Sequence, residues 1–294
     1  MSENNTRLGI WLMTATTLVF AVQDGLSRHL ADEYNVLMVV MIRYWFFAAF
    51  VIFLAKRQGI LTQALKTEQL GLQIFRGALL AAEICVTVLA FVWLGLIESH
   101  AVFACYPLIV ALLSGPVLGE QVGWKRMIAI AIGFVGILII LQPGSGVFSI
   151  AALVPLLGAA MFALYGLLTR YASRKDSAMI SFFWTGIAGS VAMTLVGIWF
   201  WKPMAGDDWI WMITLCFSGV LGHWLLIKCY AVAEASAVQP FAYLQLVWVS
   251  ILGVTLLGET LRTNVMIGTV VVVGAGVFAL WRERVAAKKA IRNN

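Results

Sequence analysis

Glu83 is the one carboxylate deep inside an apolar run, flanked by Ala81 and Ala82. A charge at membrane depth is costly, so one that persists marks a pathway, a pair or an interface. Glu83 is therefore a candidate acceptor for a proton or for a solute ammonium. An ion pair with Arg43 or Arg76 is an equal alternative. Arg76 lies two helical turns back, about 10 Å along a helix, which strains a direct pair. Arg43 can grip a carboxylate bidentately or clamp two helices together, and both readings stand. Asp24 precedes Arg28 by four residues, the spacing of a surface ion pair, and that pairing is expected. His223 follows Ser218-Gly219 and Gly222, small residues that let helices approach, so its imidazole should face protein rather than lipid. Tyr106 precedes Pro107, Tyr243 and Gln245 follow Pro240, and Tyr165 lies midway along an apolar run. Proline frees a carbonyl one turn back, which must be re-satisfied or line a cavity. A tyrosine beside such a break could stack on a solute and bond its polar end, or could simply pack. The candidate substrate-binding set is Gln23, Glu83, Tyr106, Tyr165, His223 and Tyr243. His29 and His100 lie near span ends and are read mainly as packing residues. No metal-ligand spacing, catalytic constellation or cofactor motif accompanies them.

The elements that must position these groups follow from composition. Of 294 residues, 62% are hydrophobic and 12% charged, against about 25% charged in an ordinary soluble chain. The apolar runs are continuous rather than alternating, which excludes a barrel and gives an all-α integral membrane protein. Ten transmembrane helices are expected near 8–29, 34–55, 71–96, 99–118, 125–141, 149–169, 177–200, 209–230, 235–257 and 264–281. The first run continues past the length of a secretory leader and is read as a permanent helix.

Net charge is +6, and placement explains it better than a nucleic-acid partner does. Arg7, Lys56, Arg57, Lys66, Lys125, Arg126, Arg170, Arg174, Lys175 and the tail from Arg282 to Arg292 fall on one side. The other side holds Arg28, Lys202 and Arg262. Cytoplasmic loops carry the Lys/Arg excess, so both termini are expected in the cytoplasm, in a multi-pass protein of the bacterial inner membrane. The basic tail then meets lipid headgroups. Trp199, Trp201, Trp209 and Trp211 read as an aromatic belt on the far side. Cys85, Cys105, Cys216 and Cys229 all sit within spans, where they read as packing residues.

Internal duplication organises the chain. Val117-Leu118-Gly119-Glu120-Gln121-Val122 is echoed by Leu256-Leu257-Gly258-Glu259-Thr260-Leu261, an offset of 139. Phe20-Ala21 with Leu26-Ser27-Arg28 matches Phe162-Ala163 with Leu168-Thr169-Arg170, and Glu98-Ser99-His100-Ala101-Val102 matches Glu234-Ala235-Ser236-Ala237-Val238. Two repeats are expected, 1–143 and 144–294, the second carrying the basic tail, with the turn Gln142-Pro143-Gly144-Ser145-Gly146 between them. Five spans per repeat place the second upside down, the construction of many secondary transporters. Glu120 and Glu259 fall at helix ends and are read as caps of the short turns there. Leu246 stands where the first repeat has Pro107, so the ninth helix is expected to break one to two turns away from the position matching the break in the fourth.

With these residues in view, the chain resembles the ten-helix EamA-type family of the drug/metabolite transporter superfamily. The resemblance covers the whole chain. It is most specific from Gly222-His223 through Tyr230-Ala231, Ala235-Ser236-Ala237-Val238-Gln239-Pro240-Phe241 and Tyr243 to Leu257-Gly258-Glu259, with Arg43-Tyr44 and Pro107 in the first half. It implies a metabolite carrier, with bacterial exporters of amino acids, aromatic ones included, the nearest type. A small-molecule substrate and membrane lipid are the expected partners, with no nucleic acid and a monomeric carrier. Other metabolite or drug carriers of this fold, a channel, or an intramembrane enzyme are the alternatives. Scattered histidines and the absence of His-Glu-x-x-His, Asp-rich or phosphate-loop motifs count against the enzyme.

Overall fold

The structure is a computed structural model that describes residues 5–119, 124–141 and 153–292. The described residues form helices and no strands. Helix α1 (Thr6–Glu33) starts where the Asn5 side chain accepts the Leu8 N–H at 3.0 Å, and α2 (Val36–Arg57) starts where Asn35 accepts Met38 N–H at 2.9 Å. An oxygen-bearing side chain at these positions satisfies a donor that the first turn leaves open. A short α3 (Leu61–Leu65) leads into α4 (Leu70–Leu94). Next come α5 (Leu96–Phe103), α6 (Tyr106–Leu118) and α7 (Trp124–Leu141). The second half holds α8 (Leu153–Ala172), α9 (Ala178–Gly197), α10 (Asp208–Val232), α11 (Ala235–Ala242), α12 (Leu244–Leu256) and α13 (Thr263–Arg292).

Seven helical stretches are long and apolar enough to cross a bilayer, with Leu96–Leu118 counted as one. Three shorter apolar helices, Met127–Leu141, Leu244–Leu256 and Thr263–Phe278, stand where the fifth, ninth and tenth spans are expected. The lipid-facing character shows in the outward side chains: Trp11, Trp93, Leu195 and Val270 are all exposed. Trp199 is 82% exposed, and Trp201, Trp209 and Trp211 near it are also open, as an interfacial belt would be. All four cysteines are free thiols.

The expected mismatch between the fourth and ninth helices is corrected. The fourth breaks at Ala104-Cys105 and the ninth at Tyr243, so Ala104 and Tyr243 differ by the same 139 that relates the Gly-Glu pairs. The breaks therefore match although the prolines do not. Pro107 sits in the first turn of α6, where a missing N–H costs nothing, and Pro240 falls within α11.

Matched elements also touch in matched pairs. α1 packs on α10, and its counterpart α8 packs on α4; α1 meets α12 as α8 meets α6. α4 meets α9 as α10 meets α2, while α2 pairs with α9 and α7 with α13. Nearly every large contact thus joins the two halves, and the polar groups of α1, α4 and α10 meet at the centre. Gly136 and Gly268 let α7 and α13 close on each other, since a Cβ on either would lie within 3.0 Å of the other's carbonyl oxygen. The boundary at 143/144 and the turn 142–146 lie outside the described residues, as does Glu120.

Candidate functional site

Helices α1, α2, α4, α5, α8, α10 and α12 enclose a central cavity of about 40 Å³. That is room for a few water molecules at most, so a solute can enter only when the helices part. Its polar wall is Gln23, Asp24, Arg43, Glu83, Thr87, His100, His223 and Gln245; its apolar wall includes Phe20, Phe91, Phe103 and Phe162. A larger void of about 630 Å³ lies among Phe50, Leu54, Phe182, Phe217, Leu221 and Trp224. Its lining has no charged residue and half of it points outward, so it is read as a lipid-facing cleft and the smaller polar cavity as the site.

Arg43 and His223 fix each other's chemistry. Arg43 Nη2 lies 3.3 Å from His223 Nε2. Guanidinium can only donate, so His223 Nε2 accepts and the ring proton must sit on Nδ1. Among the described residues no atom accepts from Nδ1, and Gln23 Oε1 is likewise a buried acceptor with no donor. Gln23 Nε2 turns instead to Asp24 Oδ1 at 3.5 Å. The cavity thus keeps at least one buried donor and one buried acceptor open, each costly to leave unsatisfied. The His223 ring itself is held by Phe20 and Phe47, with centroids 5.1 and 6.2 Å away.

The carboxylates are arranged otherwise than their spacing in the chain suggests. Asp24 does not pair with Arg28. Its Oδ2 accepts from Gln245 Nε2 at 2.9 Å and lies 3.1 Å from His100 Nε2. Arg28 instead meets Glu259 from the other half. Asp24 is pulled inward because the α5–α6 break brings His100 to the cavity rim, where its ring stacks on Phe91. His100 is thus a cavity residue and not merely a packing residue at a span end. Glu83 has no ion pair among the described residues; its Oε1 accepts from Thr87 Oγ1 at 2.6 Å. The alternative pairing with Arg43 or Arg76 is therefore not formed. Arg43 likewise has no carboxylate at ion-pair distance among the described residues.

Arg76 is occupied elsewhere. Its guanidinium donates to Gln73, Tyr165, Thr169 and Thr185 side chains and to the Ser181 carbonyl. Gln73 in turn donates to Asp176 at 2.8 Å, so α4 is tied to α8, α9 and the turn between them. Arg76 is fully buried and reads as a fixed clamp.

Of the six candidate residues, Gln23, Glu83 and His223 line the cavity. Tyr165 stands one ring behind it, bonded to Arg76 at 3.2 Å and edge-on to His223. Tyr106 and Tyr243 do not reach the main cavity. They line a neighbouring void of about 10 Å³ with His100 and Gln245. Glu259 is expected to cap its own short turn, but its carboxylate caps α5 of the other half instead: it accepts the N–H groups of Leu96 at 2.7 Å and Ile97 at 2.8 Å. Asp24, Arg43, His100, Gln245 and the four phenyl rings are the additions. Asp24 and Arg43 carried a signal as charges within spans, whereas the phenylalanines carried none in a chain with 17 of them.

The EamA-like transporter family matches residues 7–142 and again 149–281. A riboflavin transporter of Vibrio cholerae serotype O1 is 29% identical over 81% of this chain and 80% of its own length. An S-adenosylmethionine uptake transporter of Rickettsia felis is 24% identical over 97% of this chain and 95% of its own. A crystal structure at 15% identity superposes with a TM-score of 0.64 over 92% of this chain and 97% of that one, which is a likeness of fold. The double family match spans nearly all of the helical chain, and the polar cavity lies where the two matched segments meet. The protein belongs to the EamA-like transporter family of the drug/metabolite transporter superfamily, and is a membrane transporter rather than an enzyme.

Proposed function

We propose that the protein is a secondary carrier that moves a small amino-acid-type metabolite by alternating access through the central cavity. The observation that carries this reading is the presence of Arg43 and two carboxyl groups, Asp24 and Glu83, in one buried cavity with no Arg43–carboxylate pair among the described residues. Arg43 and the His223 Nδ1–H offer donors suited to a carboxylate. Asp24, Glu83 and Gln23 Oε1 offer acceptors suited to an ammonium. Phe20, Phe91, Phe103 and Phe162 surround them with faces for an apolar or aromatic side chain. A zwitterion with a ring satisfies all three walls.

The relatives' solutes fit this to different degrees. S-adenosylmethionine carries an amino-acid end, a positive sulfonium and a purine ring, and so matches the charged walls. Riboflavin is ring-rich and carries no such ionic end, so it would use the phenyl faces, Gln23 and His223. The relative named for uptake favours uptake here over the export expected from the family resemblance. The duplicated chain is read as two inverted five-helix repeats, ten crossings in all, in a bacterial inner membrane with both termini in the cytoplasm and the carrier working as a monomer. Single cysteines at Lys202 and Arg262 should then react with a membrane-impermeant maleimide from outside, and one at Lys66 only after permeabilisation. Labelling of all three from one side would overturn this topology.

Ligand-dependent melting of the detergent-purified protein tests the substrate class. L-phenylalanine, L-tryptophan, S-adenosylmethionine and riboflavin are the probes, each at millimolar concentration where soluble. At 100 times its Kd a ligand adds about 2.7 kcal/mol of stability. At least one zwitterionic probe is expected to raise Tm. Stabilisation by riboflavin alone would overturn the ionic reading.

A further inference from the structure

We infer that Arg28 and Glu259 form a reversible latch that closes the cavity at the end of the bundle away from the termini. This inference rests on the carrier reading above and adds the device that controls access to the same site. Each latch element lies about one helical turn beyond a cavity residue. Arg28 is four residues after Asp24 on α1, and Leu96 is four before His100 on α5. Gly95 is four after Phe91, at the end of α4.

The Glu259 carboxylate is the hub. It binds Arg28 and caps α5 through the Leu96 and Ile97 N–H groups. It reaches them because the chain after α12 turns back: Gly258 has φ +65°, and the Glu259 N–H bonds the Gly253 carbonyl at 2.9 Å. Gly95 has φ +88°, and a Cβ there would sit 3.0 Å from Glu259 Oε1. A side chain at 95 would therefore meet both backbone strain and the carboxylate. Beside the hub, Arg262 pairs with Glu98 at 3.0 Å. Two ion pairs between the halves thus join the ends of α1, α4, α5, α12 and α13 across the mouth.

Exposure separates a latch from a clamp. Arg76 is wholly buried, with five protein partners, and breaking that set would strand a charge in a dry interior. The Arg28 and Glu259 side chains are 26% and 13% exposed, so water can take over their bonds as they part. Arg170, which matches Arg28 in the second half, donates to the Tyr230 carbonyl at 3.1 Å, and Glu120, the counterpart of Glu259, lies outside the described residues. The state described here is closed at the Arg28 end.

The test is accessibility, which needs no knowledge of the substrate. A cysteine is placed at Val88 on the cavity wall, and its reaction with a membrane-impermeant methanethiosulfonate is timed in right-side-out and inside-out vesicles. Wild type over the native thiols gives the background. Adding Arg28→Gln should raise the rate from the outer face about tenfold, the effect of shifting an open–closed balance by one charge-assisted bond. Glu259→Gln, which keeps an oxygen for the Leu96 and Ile97 N–H groups but loses the charge that Arg28 meets, should raise it similarly, and Glu98→Gln should give a smaller rise. An outer-face rate unchanged by Arg28→Gln in a protein of wild-type melting temperature would overturn the latch. So would an equal rise from both faces, which marks general loosening. Failure of every probe to stabilise the protein would overturn the substrate reading and leave the latch result standing.

Discussion

Arg76→Ala is expected to leave little folded protein. The guanidinium is completely buried and binds side chains or carbonyls from its own helix, α8 and α9. Removing it leaves the Tyr165, Thr169 and Thr185 hydroxyls and the Ser181 carbonyl to find other partners. It also leaves the Gln73–Asp176 pair without the cation behind it. Breaking a buried ionic network of this kind costs about 3–5 kcal/mol, a large share of the roughly 5–15 kcal/mol that holds a typical protein folded. The measurement is size exclusion and thermal unfolding in mild detergent. Aggregation, or a Tm lowered by roughly 10 °C, is the expected result. Arg76→Lys should fall between the two, since an ammonium keeps the charge but cannot span the same fork of partners. A Tm within 2 °C of wild type would show that the clamp holds nothing together.

Glu83→Gln should do the opposite: keep the fold and lose the function. Glu83 has one protein contact, accepted from Thr87 at 2.6 Å, and an amide oxygen can accept it equally well. No cation at ion-pair distance is stranded by the change, so stability should move by less than about 1 kcal/mol. What disappears is a buried carboxyl facing the cavity that can carry either a proton or a negative charge. If it holds a solute ammonium, loss of that charge-assisted contact is worth about 2.7 kcal/mol, or roughly 100-fold in affinity. The variant's weakened binding should not vary with pH, because glutamine does not titrate, whereas wild type should lose the contact at acid pH, where its own carboxyl is protonated. If Glu83 instead carries a coupling proton, exchange of solute should persist while its response to a pH gradient disappears. Wild-type binding, exchange and pH response in a stable Glu83→Gln protein would remove the residue from the mechanism.

The helices were legible because a crossing requires a long uninterrupted apolar run, and such runs are unambiguous in this composition. Glu83, His223 and Gln23 were legible for the related reason that polar groups in those runs have few bland explanations. Contacts between the halves were not legible. Asp24 and Arg28 have the spacing of a surface pair, and nothing local to α1 shows that Glu259 folds over from 231 residues away to take the arginine. His100 looked like a span-end residue because the fourth span was read from residue 99, whereas α5 begins at Leu96 and carries His100 a full turn inward. The placement of Tyr106 and Tyr243 in a neighbouring void was not legible either: their distance from a proline says that a helix bends there, but not which way its rings turn. The choice between a Glu83 ion pair and an open carboxylate depended on where Arg76 finds its partners, and those lie on helices 89 to 109 residues further along the chain.

Counterflow is the most direct test of the central claim that a charged, ring-lined cavity carries an amino-acid-type solute by alternating access. Proteoliposomes loaded with unlabelled L-tryptophan, or in parallel with S-adenosylmethionine, are diluted into a trace of the same labelled compound. The account predicts a transient, saturable overshoot of label for at least one of them. It should be absent without interior solute, lost in a folded Asp24→Asn protein, and reduced about 100-fold in Glu83→Gln if Glu83 holds the ammonium. Linear, non-saturable entry of label, or an overshoot with both solutes that neither substitution alters, would contradict it.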